Sequence, residues 1–182
     1  MPPPSDHGVS APKRAGSRTT AEWDALLAKN LAATTVHGPQ RVVVDPARRA
    51  YAAELAQVLV TKLDQRDLGW FIPTHAELEA CERRFLETAR AELEAGHISV
   101  LPKWRAFALE PIFATFTAYE RQAVGWTAKG VRYVYLRYRL PSADQPPLGD
   151  EYHVDDGGHA YFEMQCTLPG ADLFAVEVNG ES

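Results

Sequence analysis

The sequence predicts an α+β fold, with N-terminal helices packed on one face of an antiparallel sheet of about four strands. Two observations carry this. Apolar residues recur at three- and four-residue intervals up to Gly96 and at alternate positions from residue 131 onward. Helices that precede strands, instead of interleaving with them, select α+β over a parallel α/β arrangement. A chain of 182 residues is the length of one domain with one core. A hydrophobic fraction of 46% and a charged fraction of 24% exclude a disordered or fibrous class.

Residues 1–18 are rich in Pro, Ser, Gly and basic side chains and carry almost no large apolar group. They offer too little burial to offset ordering entropy and read as a disordered arm, which leaves 19–182 as the single α+β domain. Thr19-Thr-Ala-Glu22 has the spacing of a capping box, and Trp23, Leu26, Leu27 and Leu31 follow at helical intervals until Gly38-Pro39. Arg41-Val-Val-Val44 is a short apolar run. Asp45-Pro46 then pairs an N-cap with proline at the first helical position, and Ala47, Ala50, Tyr51, Leu55, Val58, Leu59 and Leu63 mark one face of a second helix.

Gly69 stops that helix, and Thr74 with Glu77 opens the next. Leu78, Cys81, Phe85, Ala89 and Leu93 form its inner face. Glu79, Glu82, Arg83, Glu87, Arg90 and Glu94 are expected mostly to face water, and Gly96 is the C-cap.

The sheet is expected to begin with a strand from Thr115 to Trp126, joined through a Lys129-Gly130 turn to the strand Val131–Leu140. In that second strand Val134, Leu136, Tyr138 and Leu140 alternate with Tyr133, Tyr135, Arg137 and Arg139, so one face is buried and the other wet and basic-aromatic. Ala160, Phe162, Met164 and Cys166 alternate in the same way with Tyr161, Glu163, Gln165 and Thr167. After the turn Leu168-Pro-Gly-Ala-Asp172, Phe174, Val176 and Val178 make the last inward face. Trp70, Trp104 and Trp126 read as core or core-edge residues.

Nineteen Lys and Arg against 24 Asp and Glu give a net charge of −5, which opposes a nucleic-acid role and suits a basic partner. No apolar run reaches the roughly 18 residues of a membrane helix, and the first residues lack the apolar core of a signal peptide. Cytoplasmic residence is the expectation. Cys81 and Cys166, with no Cys-x-x-Cys spacing, read as buried thiols, with a disulfide between them as the alternative.

The densest chemistry lies in Gly149–Glu163. His153, Asp155, Asp156 and His159 are capable ligands for zinc or non-haem iron. Acids around Gly157-Gly158 are better explained as a solvated turn that launches the next strand, with the metal site as the alternative. No Gly-x-Ser-x-Gly elbow or phosphate loop is present, and Glu110 and Glu120 serve as acid and base only if folding joins them. The reading therefore leans away from an enzyme and requires no cofactor. Tyr133, Tyr135, Arg137 and Arg139 are interface-type residues, whose competing role is cross-strand pairing with acids such as Glu163 and Glu177.

Phe71-Ile-Pro-Thr heading an acidic helix, Tyr119-Glu-Arg-Gln, Lys129-Gly-Val-Arg-Tyr-Val-Tyr135, Asp155-Asp-Gly-Gly158 before Tyr161-Phe162, and Val178-Asn-Gly180 occur in that order. This series resembles a group of small uncharacterised bacterial proteins with a Pro-Thr helix, a Tyr-x-Arg-Gln strand, an Asp-Gly-Gly turn and a C-terminal Asn-Gly. The resemblance covers about residues 70 to 182 and does not extend to His153 and His159. The Ala, Arg and Pro usage with this architecture also looks like bacterial immunity proteins. That likeness implies a non-catalytic, protein-binding module that neutralises a cognate toxin. Its expected contact residues are Tyr133, Tyr135, Arg137, Arg139, Asp150, Glu151 and Asp155. The alternative is a metal-binding protein or metal-dependent enzyme built on His153, Asp155, Asp156 and His159.

Overall fold

The computed structural model describes residues 18–34, 42–44, 69–96, 106–141 and 158–178. The arm, the helix expected after Asp45-Pro46, Trp104, the stretch 149–157 and the closing Asn-Gly lie outside the described residues. The described elements are α1 (Thr20–Ala32), β1 (Val42–Val44), β2 (Gly69–Phe71), α2 (His75–Ala95), α3 (Ala106–Thr115), β3 (Glu120–Ala128), β4 (Val131–Arg139), β5 (Tyr161–Leu168) and β6 (Asp172–Val178). Single 3-10 turns precede β3 and β5.

Both helix starts follow from their first four residues. Thr19 and Thr74 each accept a bond from the backbone N–H three residues on, and Glu22 and Glu77 reciprocate to the cap backbone. Gly96 ends α2 in the left-handed region at φ 70°, where a side chain would be strained. Strands β3 to β6 form an antiparallel meander in sequence order. The Lys129-Gly130 turn has φ 48° and 78°, the double positive pair that a two-residue hairpin with matched twist requires. The fold is α+β, with helices on one face of this four-stranded meander.

Two three-residue strands extend the sheet beyond the expectation. Both lie on the outer edge of β3: β1 runs parallel beside Arg121–Ala123, and β2 antiparallel beside Gly125–Thr127. The apolar run at 42–44 and the Phe71 lead-in to α2 thus become edge strands. At Gly125 the backbone comes so close to Phe71 that a Cβ would sit 2.5 Å from its ring. The Arg132 guanidinium lies 3.9 Å from the centre of the same ring and pairs with Glu77 of α2 at 2.6 Å.

Three expectations are corrected. Residues 115–119 are not strand: α3 runs through Thr115, a 3-10 turn follows, and β3 starts at Glu120. Leu109, Ile112, Phe113 and Phe116 recur at i, i+3, i+4 and i+7 and are all buried, so packing overrides the strand preference of this aromatic and β-branched segment. Glu82 does not face water; it is fully buried on the helix face defined by Leu78, Phe85 and Ala89. The second face of the sheet is not wet either, because Val124, Trp126, Tyr135, Tyr161, Glu163 and Gln165 are all buried.

The core joins Trp23 of α1, Leu78, Phe85 and Leu86 of α2, Leu109 to Phe116, and the inward residues Val134, Leu136, Tyr138, Phe162, Met164, Cys166 and Val176 of the sheet. Phe162 and Tyr138 stack at 4.2 Å with rings 2° from parallel, and Tyr119 meets Phe162 edge-on. In β6 the alternation slips. A bulge places Leu173 opposite Cys166 and Ala175 opposite Gln165, so Leu173 and Val176 supply the inward contacts. The Phe174 and Val178 side chains lie outside the description. The inner face of α2 meets the inner face of β5 at Cys81 and Cys166, which form a disulfide with Cα atoms 6.0 Å apart. Of the two readings for the cysteines, the pair is the one realised.

Candidate functional site

Among the described residues, charged pairs with little exposure lie on each face of the sheet. On the helix face Arg121, between α2 and β3, is 1% exposed and donates from Nε to Oε1 of the fully buried Glu82. Its remaining donors reach the carbonyls of Tyr119 at 3.1 Å and Ala33 at 3.2 Å, and its planar group lies 4.8 Å from the centre of the Phe116 ring. Tyr138 donates to the same carboxylate oxygen at 2.9 Å. Burial, and then the Glu82 charge, push the Tyr138 phenol well above its usual range, with Arg121 opposing. These contacts tie α2, β3, β4 and the end of α1 together, and a fully enclosed pair of this kind holds structure.

The second face is arranged in cross-strand rows. Glu120, Arg139 and Tyr161 form one, Gln122, Arg137 and Glu163 the next, then Val124, Tyr135 and Gln165, then Trp126, Tyr133 and Thr167. Arg139 donates from Nε to Glu120 at 2.9 Å, and Arg137 lies 3.5 Å from Glu163. Trp126 and Tyr133 stack at 4.1 Å with rings 10° from parallel. Of the expected contact residues, Tyr135 is buried, Arg137 and Arg139 have side chains 11% exposed, and Tyr133 is half-buried. The cross-strand role foreseen for Glu163 is therefore present. Glu177 is opposite Glu163 by backbone register.

His159 is the one member of the proposed ligand set among the described residues. Its side chain is exposed, and its carbonyl accepts a bond from the Tyr119 hydroxyl, which fixes the turn into β5. Burial lifts Tyr119 to about 12, against a weaker opposing bond with Thr115. His153, Asp155, Asp156, Asp150 and Glu151 lie outside the described residues. Among the described residues no three His, Cys, Asp or Glu side chains converge as a metal would need. Glu110 pairs with Arg18 and Glu120 with Arg139, so each acid–base candidate answers an arginine.

No protein-family model, curated protein or solved structure matches this chain. Its chemistry rests on its own residues. Sequence reasoning missed the buried Glu82–Arg121 pair and the polar rows of the second face. Glu82 was detectable, since it follows Leu78 by four residues and precedes Phe85 by three. Burial of the second face has no signal in the strand alternation, which reads the same whether polar side chains meet water or each other.

Among the described residues no helix is long and apolar enough to cross a membrane.

Proposed function

We propose that the protein is a protein-binding, non-catalytic module, in its sharpest form a bacterial immunity protein that neutralises a cognate toxin in the cytoplasm. The observation that supports this reading is the use made of the described acids. Glu82, Glu110, Glu120 and Glu163 are each paired with an arginine of the same scaffold. A carboxylate committed in this way is poorly placed to exchange protons with a substrate. What remains for a partner is a cross-linked, closely packed body with a net charge of −5, suited to meet a basic surface.

The contact is placed accordingly. Tyr135, 5% exposed, is withdrawn from the expected set, while Tyr133, Arg137 and Arg139 and the acids Asp150, Glu151 and Asp155 are kept. The test is co-expression with the product of the adjacent gene. Co-purification, together with survival of cells that express both, supports the reading. A chain that binds no neighbouring product and protects no cell overturns it. The triple change D150K/E151K/D155K is expected to slow association about tenfold at low salt and to leave dissociation nearly unchanged.

A further inference from the structure

The second face of the sheet is covered. Val124, Trp126, Tyr135, Tyr161 and Gln165 on it are between 1% and 7% exposed, whereas side chains on a bare sheet face stand in water. These exposures are those of one chain alone, so the cover is part of the same chain. The described helices do not supply it. Helix α2 stands on the other face through the Cys81–Cys166 bridge and the Phe85–Phe162 stack, and α1 and α3 pack with α2 and with each other. The cover is also apolar where it meets the glutamines. Nε2 of Gln122 and Oε1 of Gln165 are buried with no hydrogen-bond partner, the state in which an apolar neighbour leaves an amide and a polar one does not.

We infer that the second face is the docking surface for residues 45–68 of the same chain, seated along it as an amphipathic helix. The chain path selects this segment. It leaves the sheet at Val44, beside Ala123, and returns at Gly69, beside Thr127, so both its ends are held on the outer edge of β3, about 13 Å apart. A helix over 47–63, begun by the Asp45-Pro46 cap, is about 25 Å long and about 10 Å across. The surface to be covered matches it, at about 20 Å from the Glu120 row to the Trp126 row and about 10 Å from β3 to β5. Residues 64–68 then have about 17 Å of chain with which to reach β2. Tyr51, Leu55, Val58 and Leu59 recur at i, i+4, i+7 and i+8 and supply the apolar side. Rival stretches fit less well: 97–105 joins α2 to α3 on the helix face, 142–157 holds five acids and only three large apolar side chains, and 1–17 carries almost none. Glu54, Gln57 and Thr61 fall on the outward side, so a partner that approaches from this direction meets that polar ridge instead of the bare sheet. The inference stands on the fold alone, and either it or the toxin-binding reading can fail without the other.

The test is a methyl-to-aromatic NOE experiment on the full chain with labelled Leu, Val, Trp and Tyr side chains. The expected result is a set of NOEs from the methyl groups of Leu55, Val58 or Leu59 to the rings of Trp126 and Tyr135. NOEs to those rings from Leu148 or Val154 instead, or none from any methyl of residues 45–68, overturn the assignment. Two paired variants ask the same question of stability. L55E/L59E, which puts carboxylates against the closed face, is expected to lower Tm by about 5 °C or more, and E54K/Q57K on the outward side by about 1 °C or less. Equal shifts from the two pairs overturn the proposed orientation of the segment. Should L55E/L59E fail to fold, the wild-type NOEs decide the matter.

Discussion

Glu82 and Arg121 show how much of a fold one buried pair can commit. Arg121 spends donors on Glu82 and on two carbonyls, and Glu82 also receives the Tyr138 hydroxyl. Removing one charge strands the other in a low-dielectric interior. E82L and R121M are each expected to cost about 3–5 kcal/mol in chemical denaturation, and the double variant to recover much of that loss. Equal losses that simply add would show the pair to be uncoupled. The two core phenols extend the argument to pH. Tyr119 is lifted to about 12 and Tyr138 well above 10.0, both by burial first. A folded-state pKa above the unfolded value stabilises fully below the unfolded value, and that stability drains away as pH climbs toward the folded one. Two of the seven tyrosines should therefore stay silent in a spectrophotometric titration up to about pH 11 and ionise together with unfolding. Early titration of all seven would contradict their burial. At this scale the sequence was legible where residue type and spacing agree, as at Thr74 and Phe162. It was opaque where a charged residue occupies an apolar position, because polarity outvoted the helical spacing at Glu82.

At the scale of elements, the helix caps and the hairpin turn follow from local chemistry, while α3 and the two edge strands are set by tertiary contacts. The interval Leu109, Ile112, Phe113, Phe116 carried the helix, yet Pro111 disfavours a helix interior and the neighbouring Ile, Phe and Thr favour a strand by propensity. The edge strand β2 is held by the approach of Phe71 to Gly125. G125A is expected to force the Phe71 ring off its seat and cost about 1–3 kcal/mol, seen as an earlier unfolding midpoint with an unchanged slope. The Thr74 cap is expected to contribute about 1 kcal/mol, lost in T74A. Glu77 adds a pH signature. Partial burial raises its carboxyl, but bonds from the Thr74 backbone, Arg132 and the Thr74 hydroxyl outweigh this and hold it below its ordinary 4.5. A depressed carboxylate stabilises above 4.5, and this share is lost as pH falls through the lower folded value. T74A should therefore flatten the stability profile of the acid limb. The candidate site was only half legible for a related reason: alternation assigned Tyr133, Tyr135, Arg137 and Arg139 correctly to one face, but burial of a face is decided by what packs on it.

For the whole molecule, the Cys81–Cys166 bridge is the longest-range covalent constraint. It joins the middle of α2 to the end of β5 across 85 residues of chain and lies in the core beside Leu78, Val134 and Met164. Closing a loop of that length removes entropy from the unfolded chain worth about 4–5 kcal/mol on the chain-entropy account. Both sulfurs belong to residues no more than 1% exposed, so a reductant reaches them only when the helix layer opens from the sheet. Two consequences follow. Reductant should act slowly on the folded protein and quickly in denaturant, and the reduced chain should unfold at markedly lower temperature than the oxidised one. The double variant C81A/C166A should match the reduced protein in midpoint, apart from a smaller loss for the two missing sulfur atoms in the core. The same bridge tests the compartment, because disulfides persist where the surroundings oxidise thiols and are rare in the cytosol. Thiol counting after rapid acid quench and denaturation of protein taken directly from its native host distinguishes the two: no reactive thiols place the mature chain in an oxidising compartment, and two thiols per chain place it in the reducing cytoplasm with the bridge held open.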